Sequence, residues 1–296
     1  MDWLFLVEVS LSGLGNGGLL ALTGLAFVLI FKATRVVNLA IGEILMLGAY
    51  VFFGFLAGMS LPWYLAAPLT LAIAWLFGTV VERLIIRPML GESPISVFML
   101  TIGLASIISG FVELIWGANP LRMPGFMPDS PLFVPTPMGE AYVSPKTATA
   151  FAVTAVAVAA LLIVFRLWRG GVALRATASD QAAAYSMGIN VPRVFSFAWS
   201  FACLIAAAAG IFVGAIGGLS PTMGTYGLSV LVVVIVGGLD SLLGALLAGL
   251  MIGLIEAWAG AYLGGAFKLP VTFAILIVVL LIRPYGLFGT REIERL

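Results

Sequence analysis

Charge is what this sequence has least of. Aspartate, glutamate, lysine and arginine make up 9% of its 296 residues, and the mean hydropathy is +1.19. A soluble domain carries about a quarter charged residues because it needs a solvated surface. So few charges cannot cover a globule, and lipid must be the solvent for much of the chain. Histidine is absent altogether, which removes the commonest zinc ligand and the usual general base at neutral pH. The single cysteine, Cys203 in Phe201-Ala-Cys-Leu-Ile-Ala, has no partner for an internal disulfide and says little about redox compartment. Of the three lysines, Lys32, Lys146 and Lys268, none follows a G-x-x-x-x-G-K-[ST] loop, so nucleotide binding in the P-loop manner is excluded. Without a cysteine cluster, a histidine triad or an H-E-x-x-H helix, the expectation is a non-catalytic chain with no cofactor and no metal. A net charge of +1 gives no reason to expect a nucleic-acid partner.

What is abundant is apolar sequence, 62% of the chain. A spanning helix needs roughly 20 mostly apolar residues, since each backbone polar group must be satisfied inside its own segment. Nine segments qualify or nearly do: 11–31, 40–57, 62–82, 94–115, 147–165, 196–216, 225–236, 242–262 and 268–282. The expectation is an all-α, polytopic helical bundle of about nine spans (eight to ten), a single transmembrane domain over residues 1–296. Segment 225–236 is short and reads either as a tilted span or as a re-entrant half-helix. The N-terminus, Met1-Asp-Trp-Leu-Phe-Leu-Val-Glu, carries acids where a cleavable signal would carry bases, so the first span is expected to stay.

The positive-inside rule orients the bundle. With the N-terminus outside, Lys32, Arg35, Arg83, Arg87, Arg166, Arg169, Arg175, Arg193, Arg283, Arg291 and Arg295 fall inside, against Arg122, Lys146 and Lys268 outside. The C-terminus is then cytoplasmic. The outer loop 116–146 holds seven prolines, which deny helix hydrogen bonds, and reads as an ordered external connection or cap. The inner loop 166–195 is the longest polar stretch on its side. Small-xxx-small spacings at Gly13/Gly17, Gly214/Gly218, Gly249/Gly253 and Gly260/Gly264 predict close helix packing. Two span ends, Leu84-Ile-Ile-Arg87-Pro88 and Leu281-Ile-Arg283-Pro284, read as helix stops with a basic last turn.

Three places carry candidate function. In the inner loop, Ser179 or Asp180 suits an N-cap, Gln181 to Met187 are helix formers and Gly188 suits the C′ position. This predicts a short two-turn helix downstream of Arg169 and Arg175, either a docking element for a soluble partner or an ordinary interfacial helix. In Arg35-Val-Val-Asn38-Leu-Ala-Ile-Gly42-Glu43, polar residues interrupt an apolar stretch at the start of a span. They read either as a helix start near the headgroups or as a gate on a pathway through the bundle, with Asn38, Gly42 and Glu43 its candidates. Glu256, inside an apolar span, is expected to face the bundle interior, a water-filled cavity or a subunit interface. It is the remaining pathway candidate, against a purely structural role. Asp240, with Gly237, Gly238 and Gly244, marks an inner turn.

Several segments taken together resemble a known family. Asn38-Leu-Ala-Ile-Gly42-Glu43, Thr101-Ile-Gly-Leu104, Ala173-Leu-Arg-Ala-Thr-Ala-Ser-Asp180 with Ala182–Ala184 and Gly188-Ile189, Pro221-Thr-Met-Gly224, Gly237-Gly-Leu-Asp-Ser241 and Arg283-Pro-Tyr-Gly-Leu-Phe-Gly289 stand in the order of the LivH-type permeases of bacterial branched-chain amino acid ABC importers. That family also contains urea and short-amide permeases. The resemblance implies a type II-like importer permease in the bacterial inner membrane, its N-terminus periplasmic. The implied partners are a second related permease, two cytoplasmic P-loop ATPases and a periplasmic solute-binding protein. It implies that 166–195 is the ATPase-coupling loop, with Arg175, Ala176, Ser179, Asp180, Ala183 and Gly188 as its contact residues. Ile41 stands where the family usually has histidine and Asp240 where glycine is common, which leaves the solute open between branched-chain, other hydrophobic and aromatic acids. The rival expectation is a stand-alone channel or secondary transporter for a small neutral solute such as urea or an amide, for which Glu256 is the one mid-span ionisable candidate.

Overall fold

The computed structural model describes residues 3–128, 130–136 and 139–289. Its helices, in chain order, are α1 (Trp3–Thr34), α2 (Ile41–Phe53), α3 (Trp63–Val81), α4 (Pro94–Trp116), α5 (Pro145–Leu167), α6 (Arg169–Ser179), α7 (Gln181–Ser186), α8 (Val191–Gly217), α9 (Tyr226–Gly237), α10 (Leu242–Tyr262) and α11 (Lys268–Ile282). Among the described residues, eight helices are long and apolar enough to cross a membrane, in line with the all-α bundle expected. The ninth segment is α9, 12 residues long. At 1.5 Å per residue it rises about 18 Å, short of a hydrocarbon core of about 30 Å. A 3₁₀ helix, Pro221–Thr225, leads into it.

Three expected boundaries shift. Helix α1 begins at Trp3 rather than Leu11. Glu8 does not stop it, because its carboxylate accepts the Tyr142 backbone N–H at 2.8 Å. Part of the proline-rich connection folds as an antiparallel hairpin, β1 (Leu132–Thr136) with β2 (Gly139–Val143). The inner loop holds one more helix than its composition suggested, the 11-residue α6. Arg291 and Arg295, counted in the orientation argument, lie outside the described residues.

The chain divides into two compact units. The first draws on Met1–Val28, Met127–Ala155 and Ser229–Leu296. Its seam is glycine on glycine. A Cβ on Gly253 would lie 2.2 Å from the Gly17 Cα, and one on Gly249 2.5 Å from the Ala21 Cα. The two expected small-residue stripes of α1 and α10 therefore face each other, at a backbone separation that no larger side chain permits. On its other side α1 meets α5, where Gly15 abuts Thr147 and Gly18 abuts Phe151. The pairs Gly214/Gly218 and Gly260/Gly264 are different. Gly218 and Gly264 sit just past helix ends with φ of +83° and +102°, so they serve as terminators rather than seams.

The end of the described chain has a definite task in this unit. After α11 stops at Ile282, the segment from Arg283 turns back, and Gly286 adopts φ +78°. The Leu287 N–H then donates to the Val236 carbonyl at 2.8 Å, and the Phe288 N–H to the Gly237 carbonyl at 3.1 Å. These are carbonyls that the end of α9 cannot satisfy within the helix. The Arg-Pro-Tyr-Gly-Leu-Phe-Gly tail is thus the cap of a short helix.

The second unit comprises Leu29–Phe126 and Val156–Leu228. Here α8 packs against both α2 and α3. Gly48 of α2 lies on Ala207, Gly210 of α8 on the Leu45 carbonyl, and Gly78 of α3 on Ser200. Trp199, Tyr50, Phe52 and Ile44 are fully or almost fully buried there. Polar residues at helix starts close the ends: Ser93 accepts the Ser96 N–H at 3.2 Å and Asn190 the Arg193 N–H at 3.2 Å.

Candidate functional site

The inner segment is built from local signals. Asp180 closes α6, its N–H donating to the Ala176 carbonyl, and then opens α7 by accepting the Ala183 N–H at 2.9 Å. At the other end Gly188 takes φ +83°. Its N–H donates to the Tyr185 carbonyl at 3.0 Å, and the Ile189 N–H donates to the Ala184 carbonyl at 3.1 Å. That pair of bonds is the Schellman closure, which needs a residue without a Cβ penalty at the left-handed position. The two-turn helix expected from Asp180 and Gly188 is present, with Asp180 rather than Ser179 as its cap. Ala184 is buried, while Tyr185 and Met187 are 72% and 83% exposed. An aromatic and a methionine therefore stand open beside a helix closed at both ends by its own residues. Composition alone did not single out these two residues, since an aromatic and a methionine beside alanines read as helix packing.

Of the other expected contact residues, Ala176, Ser179 and Ala183 lie in this α6–α7 segment, Ala183 and Ser179 on its exposed side. Arg175 has an internal task besides. Its guanidinium donates to the Phe165 carbonyl and, at 3.5 Å, to the Arg166 carbonyl, and lies 5.6 Å from the centre of the Phe165 ring. A cation on the last carbonyls of α5 also meets the negative end of its dipole. Arg175 fixes the turn from α5 into α6. Gly171 allows that turn, since a Cβ there would run into the Phe165 carbonyl. Trp168, at the corner, packs on Phe197 of α8 with ring centres 4.9 Å apart. The inner segment is therefore tied to the start of α8 by rings as well as by chain.

The elbow before α2 is built differently. Asn38 is fully buried, and its Oδ1 accepts the Ala40 N–H at 3.1 Å in a turn that starts the helix. Thr101 of α4 holds the same turn, its Oγ accepting the Leu39 N–H at 3.3 Å. Gly42 then meets the start of α9 and the 3₁₀ helix before it: a Cβ on Gly42 would lie 2.1 Å from the Gly224 carbonyl oxygen and 2.7 Å from the Gly227 nitrogen. Glu43, in the first turn of α2, brings its Oε1 against Gly224. Two polar atoms here are buried without a partner among the described residues, the Asn38 Nδ2 and the Glu43 Oε2. A buried donor or acceptor left unmade costs about 1–3 kcal/mol, so the elbow holds polar capacity that its own packing does not use.

Glu256 is engaged through one carboxylate oxygen. Its Oε1 accepts from the Ser229 hydroxyl of α9 at 2.8 Å and from the Thr272 hydroxyl of α11 at 2.9 Å. One carboxylate on α10 thus joins three helices of the first unit. A further polar group went unnoticed in the sequence. Glu82, fully buried, takes Arg87 in a two-pronged ion pair at 2.7 and 2.9 Å, and its Oε2 also accepts from the Ser196 hydroxyl at 2.6 Å. Arg87 reaches on to the Pro192 carbonyl at 3.1 Å. In an α-helix, residues five apart point away from each other. The stretch Glu82–Ile86 is π-helical, and its wider turn aligns them. The expected helix stop at Arg87-Pro88 is real, but the arginine is directed into α8.

Comparison with known proteins places these features in context. The sequence profile described as "Branched-chain amino acid transport system / permease component" matches residues 9–280. The chain is 30% identical over 304 aligned positions to the high-affinity branched-chain amino acid transport system permease protein LivH of Salmonella typhimurium and to that of Escherichia coli, covering 99% of each chain in both cases. It is 27% identical to the permease protein BraD of Pseudomonas aeruginosa, with 96% of each chain covered. Among solved structures, PsaBC from Streptococcus pneumoniae in complex with Fab superposes with a TM-score of 0.52 at 11% identity, over 94% of this chain and 91% of that one, a likeness of fold.

Proposed function

Because the chain belongs to the permease component family of branched-chain amino acid transport systems, we propose that it is the membrane-spanning subunit of an ATP-driven importer and carries branched-chain or other hydrophobic amino acids by alternating access. It is a multi-pass transport protein and not an enzyme. Hydrolysis is supplied by two cytoplasmic P-loop ATPases, the second half of the path by a related permease, and the loaded solute by a periplasmic binding protein. The membrane is the bacterial inner membrane, with the N-terminus outside and α6–α7 and the C-terminus in the cytoplasm.

The observation that carries this reading is the rigidly closed helix α7 with Tyr185 and Met187 displayed beside it. A lever has to be stiff in itself and open to its partner. ATPase closure moves α7, and the motion reaches α8 through Asn190–Val191 and through Trp168 on Phe197. The elbow at Asn38, Gly42 and Glu43 is the gate, and its unused polar atoms are available to the ammonium or carboxylate of a passing amino acid. Glu256 clamps helices rather than meeting the solute.

The test is purification of the tagged chain from its native membrane in mild detergent, with mass spectrometry of what accompanies it. Recovery of a second permease and P-loop ATPases, with uptake of labelled leucine that requires ATP, is the expected result. A chain recovered alone and active without ATP would instead be a channel or secondary transporter. A complete complex that takes up urea or an amide but no amino acid would correct the solute alone.

A further inference from the structure

Where the end of α3 lies beside the start of α8, the second unit holds an open cleft of about 590 Å³. Its lining is graded. Trp75, Thr79, Arg83 and Arg87 are spaced four apart on α3 and its extension, so they form one stripe running from the apolar interior to the helix end. Arg193 and Phe197, also four apart, form the matching stripe on α8. The deep part is aromatic: Trp75 and Phe197 meet edge to face at 5.4 Å. The outer part is cationic. Arg87 is neutralised by Glu82, but Arg83 and Arg193 are exposed and have no acidic partner among the described residues. Two uncompensated guanidiniums stand over an aromatic floor, at the interfacial end of two membrane-spanning helices.

Polarity arranged this way fits an amphiphile. We propose that the cleft binds an anionic phospholipid, its phosphodiester between Arg83 and Arg193 and the start of an acyl chain along Trp75 and Phe197. Guanidinium forks match phosphate oxygens, and basic pockets between spanning helices are where acidic headgroups lodge. A zwitterionic lipid offers the same phosphate but carries its own cation, which the two arginines repel. Because Arg193 follows the N-cap of α8 and Phe197 touches Trp168, a lipid seated here stiffens the junction between the inner segment and α8. The site does not depend on which solute is carried.

The test uses the full chain, with any subunits that purify with it, exchanged into detergent holding equal phosphatidylglycerol and phosphatidylcholine and examined by native mass spectrometry. The expected result is retention of phosphatidylglycerol over phosphatidylcholine by about five-fold or more, falling as salt screens the pair. The variant R83Q/R193Q is expected to lose the preference. Equal retention of the two lipids by the unaltered chain, or an undiminished preference in the variant, would overturn the site. Displacement of the lipid by inorganic phosphate at similar concentration would remove the acyl-chain part and leave a phosphate site instead. Loss of co-purifying subunits with lipid preference intact would give the arginines to a protein partner. The salt series on the unaltered chain decides the question even if the variant fails to fold.

Discussion

The elbow before α2 and the helix α7 solve opposite problems. At α7 the end bonds are local: Asp180 accepts the Ala183 N–H on one side, and Gly188 and Ile189 donate to the Tyr185 and Ala184 carbonyls on the other. At the elbow, contacts come from far along the chain: Thr101 holds Leu39, and Gly224 and Gly227 close on Gly42. One is a self-contained part and the other exists only when the bundle is assembled. Consequently α7 tolerates movement as a unit. The elbow, with the Asn38 Nδ2 and Glu43 Oε2 buried and unpartnered, changes its environment whenever its neighbours move. The proposed lever and the proposed gate differ in this way.

That contrast can be broken. The largest effect is expected for Gly42→Ala, whose methyl has no space against the Gly224 carbonyl. Overpacking costs about 1–3 kcal/mol, so thermal unfolding in detergent should fall by several degrees and uptake should be lost. If Gly42→Ala has an unaltered melting temperature, the elbow is not the rigid junction described. Next comes Glu82→Gln. It leaves Arg87 without its charge partner, but Arg87 is 38% exposed and water takes up part of the loss. A destabilisation of about 1–3 kcal/mol is expected, with Ser196→Ala costing less.

Asp180→Ala sharpens the comparison from the other side. Loss of an N-cap costs about 1 kcal/mol and is confined to one short helix, so global melting should barely move. Solute-stimulated ATP hydrolysis by the assembled complex should fall several-fold, and Gly188→Ala should do the same through its positive φ. Unchanged hydrolysis in both variants would return α7 to an interfacial ornament. The smallest effect is expected for Glu256→Gln. An amide oxygen still accepts from Ser229 and Thr272, so uptake should stay near that of the unaltered chain. A large loss of uptake without loss of stability would restore Glu256 as a coupling group and revive the secondary-transport reading.

The same contrast explains what could be read from the sequence. Spans announce themselves by length and hydropathy, and α7 by a cap and a glycine within a few residues, because both signals are local. The Gly13/Gly17 and Gly249/Gly253 stripes were readable as faces, but not as faces of one another. Glu82 was invisible for a physical reason: its partner lies five residues away, a spacing that only a π-turn brings into line. Helix α6 was hidden by Gly170 and Gly171, which lower helix propensity and are present because the corner at Trp168 is too tight for a Cβ. Arg175, expected as a contact for a partner, also closes α5, which its place in the sequence did not announce.

The closure of α9 by Leu287 and Phe288 has a consequence for biogenesis. A helix of 12 residues gives the translocon little to release sideways. Its final carbonyls acquire donors only when the last stretch of the chain has been made and has turned back at Gly286. Until that moment two polar groups at the end of a buried apolar helix have no partner, so α9 is completed after α10 and α11, although it precedes both on the ribosome. A chain stalled or cleaved before Gly286 therefore carries every long span and still lacks a finished bundle, and quality control in the membrane has an unsatisfied helix end to detect.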